Sequence, residues 1–193
     1  MSTVGMLHLT PDTVPTEAPY LSAEPARAAL WAERLGSHGF KVGIVWQGAA
    51  HDNSAPLATL APLAAIPGLR LISLQQQPGA AEIASLPFAT AIENPLGSGS
   101  MSADSLLDTA AIMANLDAVV SIDSWPAHLA GALGKPVLLA LPLVPDWRWL
   151  LNRDDTPWYP TMRLYRQQTA GEWADVFEAI ARDLTQDLTQ DLI

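Results

Sequence analysis

The sequence predicts an α/β protein in which helices cover both faces of a mostly parallel sheet. The first observation is the segment 117–142, which has the pattern of a buried strand, a tight turn, a short helix and a second buried strand. Its two apolar runs, Ala118–Ile122 and Val137–Leu141, are typical of strands covered on both faces, and the crossover helix makes a right-handed parallel unit. The second observation is that strand and helix patterns alternate along nearly the whole chain. Together they predict a three-layer α/β/α sandwich of Rossmann-like type.

The chain begins with a stretch, residues 1–21, that contains several prolines and no clear hydrophobic period. We expect an extended lead-in here, followed by one domain over residues 22–193, because a chain of this length fits a single large domain. Apolar runs bounded by turn residues predict the strands of that domain. They are Lys41–Trp46, Leu69–Leu74, Phe88–Ile92, Ala118–Ile122, Val137–Leu141 and Met162–Tyr165.

Helices are predicted from start and stop signals combined with apolar residues at helical spacing. Ser22 offers an N-cap ahead of Pro25, and the sequence TAGE at 169–172 has the capping-box pattern. The predicted helices are Ser22–Leu35, Pro56–Ile66, Ser102–Leu116, Trp125–Leu133 and Thr169–Leu184. Apolar faces are predicted at Leu106, Ala110, Met113 and Ala114 of the third helix, at Leu57, Leu60, Leu63 and Ala64 of the second, and at Trp173, Val176, Phe177, Ile180 and Leu184 of the last.

The composition argues against several classes of function. Ten Lys and Arg residues against twenty Asp and Glu give a net charge of −10, which argues against a nucleic-acid partner because phosphate neutralisation supplies most of such affinity. A single phosphorylated ligand stays compatible, since backbone amides at a helix start bind anions without lysine. Cysteine is absent, and the sequence has no pattern of a secretory signal or a membrane span. We therefore expect a cytoplasmic protein.

Polar residues follow the first strand of the 117–142 unit. Ligands of parallel sheets bind at the carboxyl ends of strands, so Asp123, Ser124 and His128 are the first candidates for chemistry. Ser124 and the amides behind it bind an anion, or else Asp123 and Ser124 only cap the helix. His128 faces a ligand, or else it bonds a core group. Zinc is not indicated, because the four histidines show no ligand spacing, and no serine-hydrolase elbow is present.

Three other loops supply candidate residues. Gly48–Ser54 follows the first strand without a known nucleotide-loop motif; its candidate cation is His51, and an ordinary surface loop is the alternative. The Trp-Arg-Trp sequence at 147–149 offers a cation for phosphate and rings for a base, or else it folds over the sheet edge. Gln75–Gln77 read a base edge or form a solvated turn.

Five segments suggest a family when they are taken in order and with their spacing. They are KVGIVWQG, PGLRLISLQ, LLDTAAIMANLDAVVSIDS, AHLAGALGKPV and PDWRWLLNRDDTPWYPTMRLYRQ. The sequence resembles the C-terminal domain of bacterial heptosyltransferase-like glycosyltransferases, including those fused to tetratricopeptide repeats. The likeness runs from about Pro19 to about Phe177, which is most of the chain.

The resemblance implies half of a GT-B architecture, in which the C-terminal Rossmann-like domain holds the nucleotide-sugar donor. It implies that Ser124, Ala127 and His128 lie at the donor diphosphate and that Asp146 and Arg148 close the site. It also implies that no metal or other cofactor is required. The candidate nucleotide-sugar-binding residues are Gly48, His51, Gln75, Asp123, Ser124, Trp125, Ala127, His128, Asp146, Trp147 and Arg148.

The sequence also departs from the family pattern at the expected phosphate site. The loop Gly48–Ser54 has no Arg or Lys, and Gln76 stands where relatives commonly have a lysine. Trp125 adds bulk at the helix start, and Pro126 has no N–H to donate. Each change lowers the expected affinity for an anion. The acceptor-binding half of the family, which usually supplies the general base, has no counterpart in these residues.

Two hypotheses follow. The first is a glycosyltransferase-like domain that binds a nucleotide-diphosphate sugar weakly and transfers little without an N-terminal GT-B domain or a tetratricopeptide-repeat partner. The second is a non-catalytic interaction or assembly module that keeps the fold and forms a homodimer, because a domain without its companion exposes an apolar face. The sequence assigns no catalytic residue.

Overall fold

The computed structural model describes residue 10 and residues 13–48, 54–76, 79–97 and 102–190. Within these ranges the centre of the molecule is a six-stranded sheet in which every pairing is parallel. The strands are β1 (Phe40–Val45), β2 (Leu69–Ser73), β3 (Ile92–Glu93), β4 (Ala118–Ile122), β5 (Val137–Leu141) and β6 (Met162–Arg166). Their order, β3-β2-β1-β4-β5-β6, is that of the doubly wound dinucleotide-binding fold, so the Rossmann-like prediction is confirmed.

Each face of the sheet is covered by its own hydrophobic cluster. Successive side chains of a strand point to opposite faces, and both β4 and β5 are buried at every position. Val120 and Ile122 pack into one cluster, whereas Val119 and Leu139 pack into the other. Burial on both faces explains why these strands are continuous apolar runs and why the sequence predicts their bounds correctly.

The helices fill the two outer layers. They are α1 (Pro25–Leu35), α2 (Ala61–Ala64), α3 (Ala103–Ala114), α4 (Trp125–Ala132) and α5 (Ala174–Gln190). Short 3-10 turns occupy Leu57–Leu60, Gly79–Ser85, Ala89–Ala91 and Trp147–Trp149. Strand β4, helix α4 and strand β5 form the parallel unit that the sequence predicts.

Two predicted helix starts are wrong. Helix α1 begins at Pro25 with Glu24 as its N-cap, because proline fits the first helical position and Ser22 lies outside the helix. The TAGE sequence is a turn in which the Glu172 amide donates to the Thr169 carbonyl at 3.1 Å and Gly171 has φ of 82°. This left-handed glycine cannot continue a helix, so α5 begins only at Ala174.

The predicted helix at 56–66 is also wrong in its form. It consists of a 3-10 turn followed by the single α turn of α2, although the predicted apolar residues Leu57, Leu60 and Leu63 are buried. The predicted strand Phe88–Ile92 is mostly the 3-10 turn Ala89–Ala91, and only Ile92 joins β3.

The predicted apolar faces of α3 and α5 have different outcomes. In α3 the buried residues are Thr109, Ala111, Ile112 and Met113, and the predicted Leu106 is 42% exposed. The buried face of α3 is therefore rotated around the helix axis relative to the face that its leucines predict. The stripe predicted for the last helix is buried at all of its positions, so this prediction is confirmed. Its residues are Trp173, just before α5, and Val176, Phe177, Ile180 and Leu184.

The described part of the N-terminal lead-in packs against the domain. The amides of Tyr20 and Leu21 both donate to the carbonyl of Ala132, at 3.0 and 3.1 Å, which satisfies an acceptor at the end of α4. Pro19 lies against Gly134, where a Cβ would come within 3.2 Å of the proline ring. The segment is thus fixed to the end of the helix that follows β4.

Candidate functional site

The candidate site lies where the strand order reverses. From β1 the chain continues to β2 on one side, and β4 later pairs with β1 on the other side, so the carboxyl ends of β1 and β4 border a crevice. Val45 is opposite Ser121 in the register, and both chains therefore leave the sheet at nearly the same level. Gly48 follows β1 and Asp123 follows β4 at this edge. The topology thus brings together two loops that the sequence separates widely.

The start of α4 offers few backbone donors. Ser124 is the N-cap, and its carbonyl accepts from the amides of Ala127 at 3.1 Å and His128 at 3.4 Å. Pro126 lies in the first turn and has no N–H. The first turn therefore leaves the Trp125 amide as its donor for a ligand. Ala127 is fully buried, and its amide is already bonded to the Ser124 carbonyl.

The Ser124 hydroxyl is turned back toward the strand. Its Oγ lies 3.1 Å from the Ile122 carbonyl oxygen and 3.0 Å from Ser121 Oγ, and it makes no capping hydrogen bond. The predicted side-chain cap is therefore absent in this rotamer. The neighbouring Trp125 is 37% exposed, so a large part of its surface faces solvent.

His128 has different partners on its two ring nitrogens. Its Nδ1 lies 3.1 Å from the hydroxyl of Tyr159, and its ring stacks on the buried indole of Trp149. Its Nε2 lies 3.8 Å from Oδ1 of Asp123, which is an ion-pair distance but too long for a hydrogen bond. The histidine thus bonds a core group through one nitrogen and directs the other toward the crevice.

The charge state of His128 is set mainly by its burial. Desolvation lowers the pKa of His128 below its ordinary value, because a charged imidazolium is costly away from water. The carboxylates of Asp123 and Asp146 oppose this change, and the guanidinium of Arg148 adds to it. The neutral imidazole, which has one donor and one acceptor nitrogen, is therefore favoured.

The loop after β5 places a cation beside this histidine. Asp146 caps the 3-10 turn by accepting from the Arg148 amide at 3.0 Å, and the Arg148 Nε lies 3.4 Å from the same Oδ1. The guanidinium carbon is 5.9 Å from the ring centre of Trp147, which is 58% exposed and packs edge-to-face on Trp158. Trp149 thus folds into the core, and Trp147 stays at the surface, where the predicted role in binding a base stays a prediction.

The glutamines after β2 have a structural role. The alternative of a solvated turn is wrong for Gln75 and Gln76, which are only 7% and 9% exposed. Gln75 Oε1 accepts from the amides of Trp46 at 3.2 Å and Gln47 at 2.9 Å, and its Nε2 donates to the Gln76 carbonyl. Both lone pairs of the Gln75 oxygen are thus occupied, and a base contact without breaking these bonds is left to its second Nε2–H. Gln77 lies outside the described residues.

The loop after β1 is closed at its base. The Ala55 amide donates to the Trp46 carbonyl at 2.8 Å, and the Gly48 amide lies 3.3 Å from Ser54 Oγ. His51 lies outside the described residues, so the predicted cation of this loop has no structural description.

Several other cations of the described chain have structural partners. Arg70 forms an ion pair with Glu93 at 2.7 Å, and Arg27 pairs with Asp108 at 2.9 Å. The Lys135 ammonium donates to the carbonyls of Ala114 and Leu116, at the end of α3. These contacts leave Arg148 as the cation that the structure associates with His128.

Sequence reasoning missed Tyr159 and Tyr20 as neighbours of the site. Tyr159 lies 31 positions from His128 and bonds it directly, and Tyr159 and Tyr20 line one pocket. The signal that was available is the aromatic sequence PWYP at 157–160, but nothing in that sequence indicates its partner.

Two features are absent from the described ranges. No group of three or more His, Asp or Glu side chains there is arranged to hold a metal ion. None of the helices in that part of the chain combines the length and the apolar character needed to cross a bilayer.

The topology defines a doubly wound α/β protein with a crevice at its switch point, and comparisons with known proteins narrow this class of fold. No protein-family model matches the chain. The chain is 28% identical over 186 residues to Protein FlbA of Caulobacter vibrioides, covering 92% of this chain and 31% of FlbA.

Solved glycosyltransferase structures share the fold. The ADP-heptose LPS heptosyltransferase II of E. coli is similar with a TM-score of 0.65 and 16% identity, over 94% of this chain and 57% of that one. The glycosyl transferase family 9 protein of Veillonella parvula gives 0.58 and 16%, over 98% and 57%. Anabaena Alr3699/HepE, solved in complex with UDP and glucose, gives 0.50 and 17%, over 89% and 53%.

These comparisons establish the fold. The chain has the α/β Rossmann-like fold of heptosyltransferase and family 9 glycosyltransferase structures, as the resemblance implied. It spans 57% of the length of the first two solved neighbours and 31% of FlbA.

Proposed function

We propose that this chain is the nucleotide-sugar-binding domain of a glycosyltransferase-like protein. The diphosphate of the donor would lie between the carboxyl ends of β1 and β4, at the start of α4. The observation that carries this proposal is the grouping of His128, Asp123 and Arg148 at the switch point of a sheet whose fold is that of nucleotide-sugar glycosyltransferases. Ligands of doubly wound sheets bind at this position.

The donors around this point suit a phosphate oxygen. The Trp125 amide lies at the positive end of the α4 dipole. The Nε2 atom of His128 lies too far from the Asp123 carboxylate for a hydrogen bond between the two. The Arg148 guanidinium meets Asp146 only through a 3.4 Å contact at Nε, so its terminal nitrogens can turn to a second anion. Arg148 supplies a charged donor, His128 a neutral donor and Trp125 a backbone amide. This is a small set of donors, and we therefore expect weak binding.

The exposed indole of Trp147 supports a stacking role. It lies beside Arg148 and is held edge-on by Trp158, which in turn donates from Nε1 to the Arg148 carbonyl at 2.7 Å. A base or a sugar ring would stack on such a surface. Gly48, which follows β1, would border the other side of the crevice. The proposal requires no metal, because amides and basic side chains would neutralise the leaving diphosphate.

Calorimetric titration with UDP, GDP and ADP and with their sugars tests the proposal. We expect millimolar binding of at least one nucleotide. Arg148→Ala should weaken it by about 10- to 100-fold, since a charge-assisted hydrogen bond contributes ~1.5–3 kcal/mol. The matched control is Arg163→Ala, which removes an arginine that pairs with Asp183 of α5 at 2.9 Å. Absence of binding by every nucleotide, or equal losses in the two variants, would contradict the proposal.

Transfer would need further residues. The chain spans 57% of heptosyltransferase II, and we propose that it acts beside an acceptor-binding N-terminal domain or a tetratricopeptide-repeat partner in the cytoplasm. Isolated, the chain should release little sugar from a donor. A transfer assay with and without a fused or added N-terminal half would measure this directly.

An exposed apolar patch favours a second candidate function, a non-catalytic interaction module that forms a homodimer. In the loop after β5, Val144 is 83% exposed, Leu151 is 72% exposed and Leu143 is 45% exposed. Such a patch tends to be covered by a partner. Light scattering over a concentration series should then show a dimer that Val144→Ser with Leu151→Ser dissociates and that Leu30→Ser, an exposed change on α1, does not. A monomer at high micromolar concentration would exclude this candidate.

A further inference from the structure

We propose that the hydroxyl group of Tyr159 holds His128 in the tautomer that carries its proton on Nε2. Tyr159 is then a positioning residue, since it would act on a ligand through the histidine. Only the purpose of this arrangement rests on the proposed function; the tautomer itself can be measured without a ligand.

The contacts of His128 favour one tautomer over the other. A neutral imidazole has one N–H donor and one lone-pair acceptor. The Nε2 atom faces the Asp123 carboxylate at 3.8 Å, and a negative oxygen favours an N–H over a lone pair at that distance. The Nδ1 atom is then the acceptor, and the Tyr159 hydroxyl, 3.1 Å away, is its donor.

The ring of Tyr159 is fixed by its contact with α4. A Cβ built on Gly131 would lie 2.5 Å from Cδ1 and 2.6 Å from Cγ of this ring. The glycine therefore lets the aromatic ring touch the helix backbone three residues after His128. Tyr159 is 8% exposed, so its hydroxyl has little freedom to leave the histidine.

The N-terminal segment lies beside Tyr159. The backbone amide of Tyr20 is anchored on the Ala132 carbonyl at 3.0 Å. Tyr20 and Tyr159, with Glu17 and Trp158, line an open pocket of about 490 Å³. Burial raises the pKa of Tyr159 above its ordinary value, so the Tyr159 hydroxyl keeps the proton that it donates to His128.

The consequence is a neutral donor aimed at the crevice. The titratable or charged groups that face His128 are Asp123, Asp146, Arg148 and Tyr159. Asp123 lies too far from Nε2 to accept a hydrogen bond, and the side chain of His128 is 33% exposed. The Nε2–H is thus free to donate to an oxygen of a phosphate or another oxyanion at the start of α4.

Nitrogen-15 NMR of histidine-labelled protein tests the tautomer at a pH where His128 is neutral. We expect long-range couplings of the Nε2–H form, assigned by their loss in His128→Gln. Tyr159→Phe keeps the ring on Gly131 and removes only the hydroxyl, so it should produce a mixture of both tautomers. The matched control, Tyr165→Phe, removes a hydroxyl that donates to Asp183 at 2.6 Å and should leave His128 unchanged.

Two results would overturn the inference: an Nδ1–H tautomer in the unchanged protein, or identical His128 spectra in the unchanged protein and in Tyr159→Phe. If Tyr159→Phe does not fold, the tautomer measured in the unchanged protein decides the question. Affinity for UDP or ADP is a separate readout, which Tyr159→Phe should reduce about 3- to 10-fold as for the loss of one hydrogen bond. Absence of nucleotide binding together with the expected tautomer would refute the proposed function and leave the positioning role intact.

Discussion

The imidazole of His128 lies nearly parallel to the indole of Trp149, with ring centroids 5.3 Å apart and an interplanar angle of 16°. Trp149 is fully buried, yet it comes from the loop after β5, whereas His128 comes from α4. The stack therefore joins the two elements that carry the candidate anion donors. Because the indole fixes one face of the histidine, the loop and the helix start form one packed unit.

This stack makes Trp149 important for stability as well as for the site. Trp149→Ala should lower the free energy of unfolding by about 3–5 kcal/mol, because it leaves a large cavity in the core. Trp149→Phe should cost less than about 2 kcal/mol, since it keeps a ring on His128 and removes an indole N–H that has no hydrogen-bond partner among the described residues. Urea denaturation of both variants measures the difference. Equal losses would show that the ring contact is unimportant.

Gln75 supports the end of β1 through its side-chain oxygen. Gln75→Met keeps the volume but leaves the amides of Trp46 and Gln47 without their acceptor, and we expect a loss of about 2–4 kcal/mol in the free energy of unfolding. The control is the exposed change Gln168→Met, which should cost less than about 0.5 kcal/mol. A loss as small as that of the control would mean that water replaces the Gln75 oxygen.

The same glutamine shows why the fold was easier to predict than the site. Strands such as β4 are fixed by a local pattern of burial, and the sequence predicts Ala118–Ile122 correctly. Gln75 has a polar side chain at a strand end, and its sequence context does not distinguish a ligand contact from a bond to the β1 loop. Only the parallel pairing of β2 with β1 places its oxygen under the two amides.

The errors in the helices have a similar origin. The TAGE pattern satisfies the local rule for a capping box, but the left-handed conformation of Gly171 selects a turn instead. Tyr159 and Tyr20 escaped the sequence analysis because their relation to His128 depends on contacts across 31 residues or more. Asp123, Ser124 and His128 could be predicted to share one sheet edge, since that follows from strand order alone.

The stability of the protein should depend on pH through His128. Burial lowers the pKa of His128 in the folded protein, so the unfolded chain binds more protons between that lower value and the ordinary pKa of about 6.5. The free energy of unfolding should therefore fall as the pH is lowered through about 6.5 and level off below the folded pKa. His128→Gln should flatten this part of the curve. Urea midpoints measured across this pH range test the expectation.

His38→Gln is the control for the pH experiment, because His38 is exposed in the segment between α1 and β1. Its curve should follow that of the unchanged protein. If His128→Gln also follows that curve, the buried imidazole does not account for the acid sensitivity, and the carboxylates near it would have to supply the effect.

Gly131 should be required only while Tyr159 occupies its place. In an ordinary helix interior, alanine is favoured over glycine by about 1 kcal/mol. Here a Cβ would lie 2.5 Å from the Tyr159 ring, and such overpacking costs about 1–3 kcal/mol, so Gly131→Ala should lower the free energy of unfolding by as much as about 2 kcal/mol. In a Tyr159→Leu background the same change should instead stabilise the protein by about 0.5–1 kcal/mol. A double-mutant cycle in urea measures this reversal of sign. If Gly131→Ala changes the free energy of unfolding equally in both backgrounds, the Tyr159 ring does not contact the helix backbone at Gly131. The contact that orients the Tyr159 hydroxyl toward His128 would then be absent.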